Sequence, residues 1–146
     1  MENQGFDEAL EESRLMLVDT NVLLDVIQDD ATWADWSISQ LQSQSKVYQL
    51  VINPVIYAEI SLAFERIETL DKVLEDMQLP MMELPKPALF LAAKAFLAYR
   101  RRGGLKRNVL SDFYIGAHAA VMDWPVLTRD RRKYETYFPV VKLNAP

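Results

Sequence analysis

The chain contains no cysteine, which excludes disulfides, thiolate metal sites and thiol nucleophiles. It contains a single histidine, His118, so a cluster of imidazole ligands is excluded as well. Glycine is scarce, with four residues, while half of the 146 residues are hydrophobic; that balance belongs to a folded globular chain and not to a disordered one. No apolar run approaches the roughly 20 residues that a membrane-spanning helix needs. The N-terminal stretch carries Glu2, Asp7, Glu8, Glu11 and Glu12, the wrong charge for a signal peptide. These absences lead to the expectation of a cytoplasmic protein whose length suits one domain with one core.

The hydrophobic pattern alternates between strand-like and helix-like stretches. Residues 1–14 read as an acidic, polar extension with weak helical character, and Met16 is a candidate natural start. Residues 15–146 read as a single domain. Leu15-Met16-Leu17-Val18 is a buried strand ending at Asp19, and Val22, Leu23, Val26 and Ile27 fit one face of the helix that follows. Helices are expected over Ala31–Gln44, from Asn53-Pro54 to Ala63 with Asn53 as cap and Pro54 in the first turn, over Ile67–Met77, Pro87–Arg102 and Phe113–Met122. Strands are expected at Val47–Ile52, Met81–Leu84, Pro125–Thr128 and Val140–Leu143. Alternation of this kind implies a mainly parallel sheet with helices on both faces.

The net charge is −5, yet it is unevenly spread. Residues 1–30 hold nine acids and one base, whereas residues 100–133 hold nine bases and three acids. Such segregation suits a basic face that meets a polyanion, although three arginines at the end of a helix also complement its dipole.

Four acids have distinctive settings. Asp19 closes the first strand, Glu59 lies in an apolar helix, Asp112 opens a helix, and Asp130 follows the strand Pro125–Thr128. Taken singly, Asp112 is a helix cap and Asp130 a loop acid. Taken together, strand ends and helix starts converge on one edge of a parallel sheet, where ligands bind. Clustered carboxylates require a neutralising cation, and all-oxygen ligands favour Mg²⁺ or Mn²⁺ over zinc. One or two such ions activate water and stabilise the leaving oxygen of a phosphodiester. Thr20, Asn21 and Thr128 are candidates to orient the carboxylates or a water. His118, six residues past Asp112, reads as a packing residue. Arg100, Arg101, Arg102, Lys106 and Arg107 precede Asp112, and Arg129, Arg131, Arg132 and Lys133 flank Asp130. Of these, Arg101, Arg102, Lys106, Arg107, Arg129 and Arg131 are the candidates to hold the phosphates of a polyanion.

Asp19-Thr20-Asn21, Glu59 within Asn53–Ile60, Asp112 within Ser111–Ala119, and Leu127-Thr128-Arg129-Asp130 resemble, in this order and spacing, the PIN-domain ribonucleases and in particular the VapC-type toxins of toxin–antitoxin pairs. The resemblance runs from about residue 15 to the C-terminus. It implies a three-layer α/β/α sandwich, Mg²⁺- or Mn²⁺-dependent endoribonuclease activity, a homodimer and a cognate protein antitoxin, with Asp19, Glu59 and Asp112 as metal ligands and Asp130 completing the set. Family members often carry a further acid a few residues after the Thr-x-Asp segment, where this chain has Arg131, Arg132 and Lys133. That departure leaves open a binding module that keeps the fold without the catalysis. A phosphotransfer domain with a strand-end acid as nucleophile is a third reading, and it lacks the strand-end lysine it would require.

Overall fold

The structure is a computed structural model that describes residues 14–106 and 109–146. The acidic extension up to residue 13 and the expected phosphate ligand Arg107 lie outside the described residues. Strand β1 (Leu15–Val18) is followed by α1 (Thr20–Ile27), α2 (Ala34–Gln44), β2 (Gln49–Val51), α3 (Pro54–Ser61), α4 (Ile67–Asp76), α5 (Lys86–Arg101) and α6 (Leu110–Met122). Strand β3 (Val126–Leu127), the short α7 (Arg132–Glu135) and β4 (Leu143–Asn144) complete the order.

The four strands form one parallel sheet in the order β2-β1-β3-β4. All four residues of β1 are buried, as a strand covered by helices on both faces requires. Leu17 pairs with Val126 and Val18 with Leu127, so β1 and β3 end side by side. The Asp19 N–H continues this ladder to the Leu127 carbonyl at 2.9 Å. Asp19 and Thr128 therefore stand next to each other at the C-terminal edge of the sheet, the edge from which parallel sheets present their ligands.

Local sequence explains much of what surrounds this edge. The Asn53 side chain caps α3 by accepting from the Ile56 N–H at 2.9 Å, and Pro54 takes the first helical position. The turn that leaves α5 is made at Gly103, with φ of 88°, a conformation open to glycine without steric cost. Helix α6 starts at Leu110, earlier than the sequence pattern suggests, so Asp112 occupies its first turn and is not its cap. Phe113, the next residue, is buried against Phe96, Tyr137 and Phe138, with ring centroids 5.3–6.0 Å apart. This aromatic cluster fixes the start of α6 and with it the position of Asp112.

Three strand expectations change. The last strand is Leu143–Asn144 and not Val140–Leu143. The N–H groups of Val126 and Thr128 find their acceptors on Lys142 and Asn144, and Val140 is left in an exposed turn. The second strand loses Val47 and Tyr48, whose N–H groups return to the Gln44 carbonyl and finish α2. The expected edge strand at Met81–Leu84 reduces to a single parallel bridge between Ile52 and Met81. Among the described residues no helix is long and apolar enough to cross a membrane.

Candidate metal centre

Asp19 is completely buried, and its two carboxylate oxygens are treated differently. Oδ2 accepts from the Thr128 hydroxyl at 2.8 Å and from the Tyr134 phenol at 2.8 Å. It also lies 3.8 Å from Lys133 Nζ. Among the described residues Oδ1 has no hydrogen-bond donor. An unsatisfied buried acceptor is costly and demands an explanation; a bound cation supplies one.

The polar residues of the Asp19-Thr20-Asn21 turn divide the work of orientation. Thr20 serves Glu59, donating from Oγ1 to Oε1 at 2.7 Å, while Ser111 donates to the other Glu59 oxygen at 3.3 Å. The Asn21 amide donates to Thr128 Oγ1 at 3.3 Å and accepts from the Arg129 N–H at 3.3 Å. Thr128 in turn accepts from the Asp130 N–H at 3.1 Å. Asp19 before α1, Glu59 on α3 and Asp112 on α6 thus meet at one edge, with hydroxyl contacts holding Asp19 and Glu59 and Lys133 Nζ 3.3 Å from Asp112 Oδ1.

Electrostatics show that these acids share a neighbourhood. Burial raises the Asp112 carboxyl above its usual range; Lys133 opposes the rise, and the charges of Asp19 and Glu59 add to it. Burial works against the Lys133 ammonium, but Asp19, Asp112 and Glu59 outweigh it and hold its pKa above the ordinary lysine value. Burial, followed by the Asp19 charge, pushes the Tyr134 phenol well up, so Tyr134 stays protonated and donates. Asp130 lines the same cavity as Asp112 and Lys133 but is turned to Arg132. Its Oδ1 accepts from the Arg132 N–H at 3.1 Å and its carboxylate makes a long contact to the Arg132 guanidinium, so it shapes the entry to α7 at the rim.

An open cavity of about 800 Å³ adjoins the acids, lined by Asp112, Asp130, Lys133, Arg102, Lys106 and Arg132 among others. Of the expected phosphate ligands, Arg102 and Lys106 line it. Arg101 lies exposed at the end of α5, and Arg131 contacts the Ala145 carbonyl at 3.3 Å. Arg129 has a different employment. Its Nε binds the buried Asp25 at 2.8 Å, its guanidinium lies over the Trp33 ring at 5.6 Å, and Ser37 completes the Asp25 contacts at 2.8 Å. His118 is a packing residue, as expected: it is buried, with Nδ1 3.2 Å from the Asn53 amide and its ring 4.9 Å from Trp124.

The sequence pattern alone did not single out Ser111, Tyr134 or Lys133 as members of the site. For Lys133 a signal existed, a base standing where the resemblance leads one to look for an acid. The donor set suits a hard divalent ion, since every candidate ligand is a carboxylate and Asp19 Oδ1 is free to bind. Among the described residues, however, no three acids converge as a ready-made cage, and an ammonium group stands between two of them.

A parallel α/β sheet with acids at its C-terminal edge places a candidate carboxylate site where such sheets bind their ligands. The chain belongs to the PIN-domain family, whose model matches residues 16–139, a family of nucleases. No curated protein matches by sequence. Similar solved structures include a chain of VapBC2 from Rickettsia felis bound to a DNA fragment from their promoter, with a TM-score of 0.68 and 17% identity over 90% of this chain and 98% of that one. VapBC-1 from nontypeable Haemophilus influenzae gives a TM-score of 0.68 and 13% identity over 90% and 97%. FitAcB from Neisseria gonorrhoeae gives 0.59 and 21% over 88% and 95%. At these identities the likeness is one of fold.

Proposed function

We propose that this chain is an Mg²⁺- or Mn²⁺-dependent endoribonuclease, the toxin of a toxin–antitoxin pair, which works in the cytoplasm as a homodimer and is restrained by a cognate protein antitoxin. The observation that carries the nuclease reading is the buried Asp19, fixed through Oδ2 by Thr128 and Tyr134 and without a donor at Oδ1 among the described residues, in a neighbourhood where its charge and that of Glu59 act on Asp112. Toxin and antitoxin enter from the similar structures, which are VapBC and FitAcB complexes.

Asp19, Glu59 and Asp112 would hold the ion, with Asp130 at the rim of the same cavity. When bound, the ion supplies Lewis-acid activation of water and stabilisation of the leaving phosphodiester oxygen. The protein's own part is positional. Thr128 and Tyr134 lock one rotamer of Asp19, Thr20 and Ser111 lock Glu59, and the aromatic cluster around Phe113 holds the start of α6. Arg102, Lys106 and Arg132 line the adjoining cavity and set RNA phosphates beside the acids.

The test is Mg²⁺-dependent cleavage of RNA by the wild type and by Asp19→Asn. The substitution keeps size and most hydrogen bonding but removes the charge on the innermost ligand. Cleavage should fall by about 10²-fold or more, the scale of losing a well-placed electrostatic group; undiminished cleavage would end the catalytic assignment. The second reading, a binding module of the same fold, is favoured by the Lys133 ammonium between Asp112 and Asp19. It requires that RNA be bound and left intact with either metal.

A further inference from the structure

We propose that Lys133 is a tethered cation that fills one cation position of the carboxylate site, so that each chain binds a single divalent ion. The inference rests on the metal-dependent reading above and specifies how this chain meets it. Lys133 Nζ lies 3.3 Å from Asp112 Oδ1 and 3.8 Å from Asp19 Oδ2, and its side chain is only one-quarter exposed.

The placement belongs to the backbone and not to a chance rotamer. Tyr134, the next residue, is 1% exposed and donates to Asp19, which fixes α7 against the acid that the ammonium approaches. Asp130 tightens the entry to α7 by accepting from the Arg132 N–H, while its own N–H is held by Thr128. Thr128 donates to Asp19 as well, so the lysine and the acid are held by the same small network.

Charge then decides the stoichiometry. Asp19, Glu59 and Asp112 supply three negative charges, and one ammonium with one divalent ion balances them. Two divalent ions beside the ammonium would bring five positive charges to three carboxylates, and like charges at such separations repel. An ammonium donates hydrogen bonds but has no empty coordination site, so from its place between Asp112 and Asp19 Oδ2 it offsets one of the three charges without substituting for the ion's chemistry. It leaves Asp19 Oδ1, which has no hydrogen-bond donor among the described residues, as the open oxygen for that ion.

The decisive experiment is an Mn²⁺ titration of the EDTA-stripped full-length protein, with free Mn²⁺ read by electron paramagnetic resonance, for wild type, Lys133→Glu and Lys133→Met. Thermal melts are recorded with and without Mn²⁺. Wild type should bind one ion and Lys133→Glu two. Lys133→Met, which leaves three carboxylates without their ammonium, should melt below wild type when stripped and gain more from Mn²⁺ than wild type does. Two ions on wild type overturn the inference and leave the metal-dependent reading standing. Binding of none removes that reading itself. A folded Lys133→Glu that takes a single ion, or a stripped Lys133→Met as stable as wild type, also overturns the inference. Should Lys133→Glu fail to fold, the wild-type stoichiometry and the Lys133→Met melts decide it.

Discussion

His118 shows how one side chain couples the scaffold to pH. The Asn53 Oδ1 is taken by the Ile56 N–H, so its amide nitrogen faces the ring; Nδ1 is therefore the acceptor, and the ring proton sits on Nε2, which has no partner among the described residues. Burial lowers the His118 pKa from 6.5 to about 4. A group depressed on folding contributes stability that is whole above its unfolded pKa and is lost as pH falls toward the folded value. The window is thus pH 6.5 down to 4, and the loss reaches about 3 kcal/mol at its lower end. Urea denaturation of wild type and His118→Gln at pH 7 and pH 4.5 checks this. The gap between wild type and variant should shrink toward acid, because the variant has nothing to titrate there.

At the scale of elements, Gly116 lets α6 approach the Phe138 ring closely. A β-carbon at this position would collide with the ring of Phe138, which is 2% exposed and packed against Phe113. Gly116→Ala gains about 1 kcal/mol of helix propensity, but crowding a packed core costs about 1–3 kcal/mol. The expected net is a loss of about 1 kcal/mol in urea denaturation, and the ring shift should reach Asp112 through Phe113. What was legible in the sequence follows the same division between local and distant causes. Asp19-Thr20-Asn21 and Asn53-Pro54 announce a strand end and a capped helix because their partners lie within a few residues. The ends of β2 and β4 were displaced because a ladder to another strand, and the return of Val47 and Tyr48 to α2, decide them. Glu59 and Asp112 were legible as acids in apolar or helix-opening settings. Lys133 and Tyr134 were not, since only the docking of α7 carries them 114 and 115 residues back along the chain to Asp19.

Over the whole molecule the charge is segregated, and under the proposed function this is what would let an acidic protein meet RNA. The chain carries −5 overall, while Arg102, Lys106, Arg132 and Lys133 line the cavity beside the acids. Lys133 is committed to Asp112 and Asp19, which leaves Arg102, Lys106 and Arg132 to face phosphates. Each phosphate neutralised on single-stranded RNA steepens the dependence of log K on log salt by about 0.7. In an Asp19→Asn background, which prevents cleavage during the measurement, replacing these three by alanine should reduce that slope by about 2 and weaken binding with little regard to sequence. Arg129 makes the control. It is equally basic and close in sequence, but its guanidinium is bound to the buried Asp25. Arg129→Ala strands that carboxylate without its cation, so its effect should appear in denaturation and leave the salt slope unchanged. Fluorescence anisotropy of labelled RNA between 50 and about 200 mM salt separates the two groups. Equal slopes for wild type and the triple variant would move the RNA path to another face of the molecule.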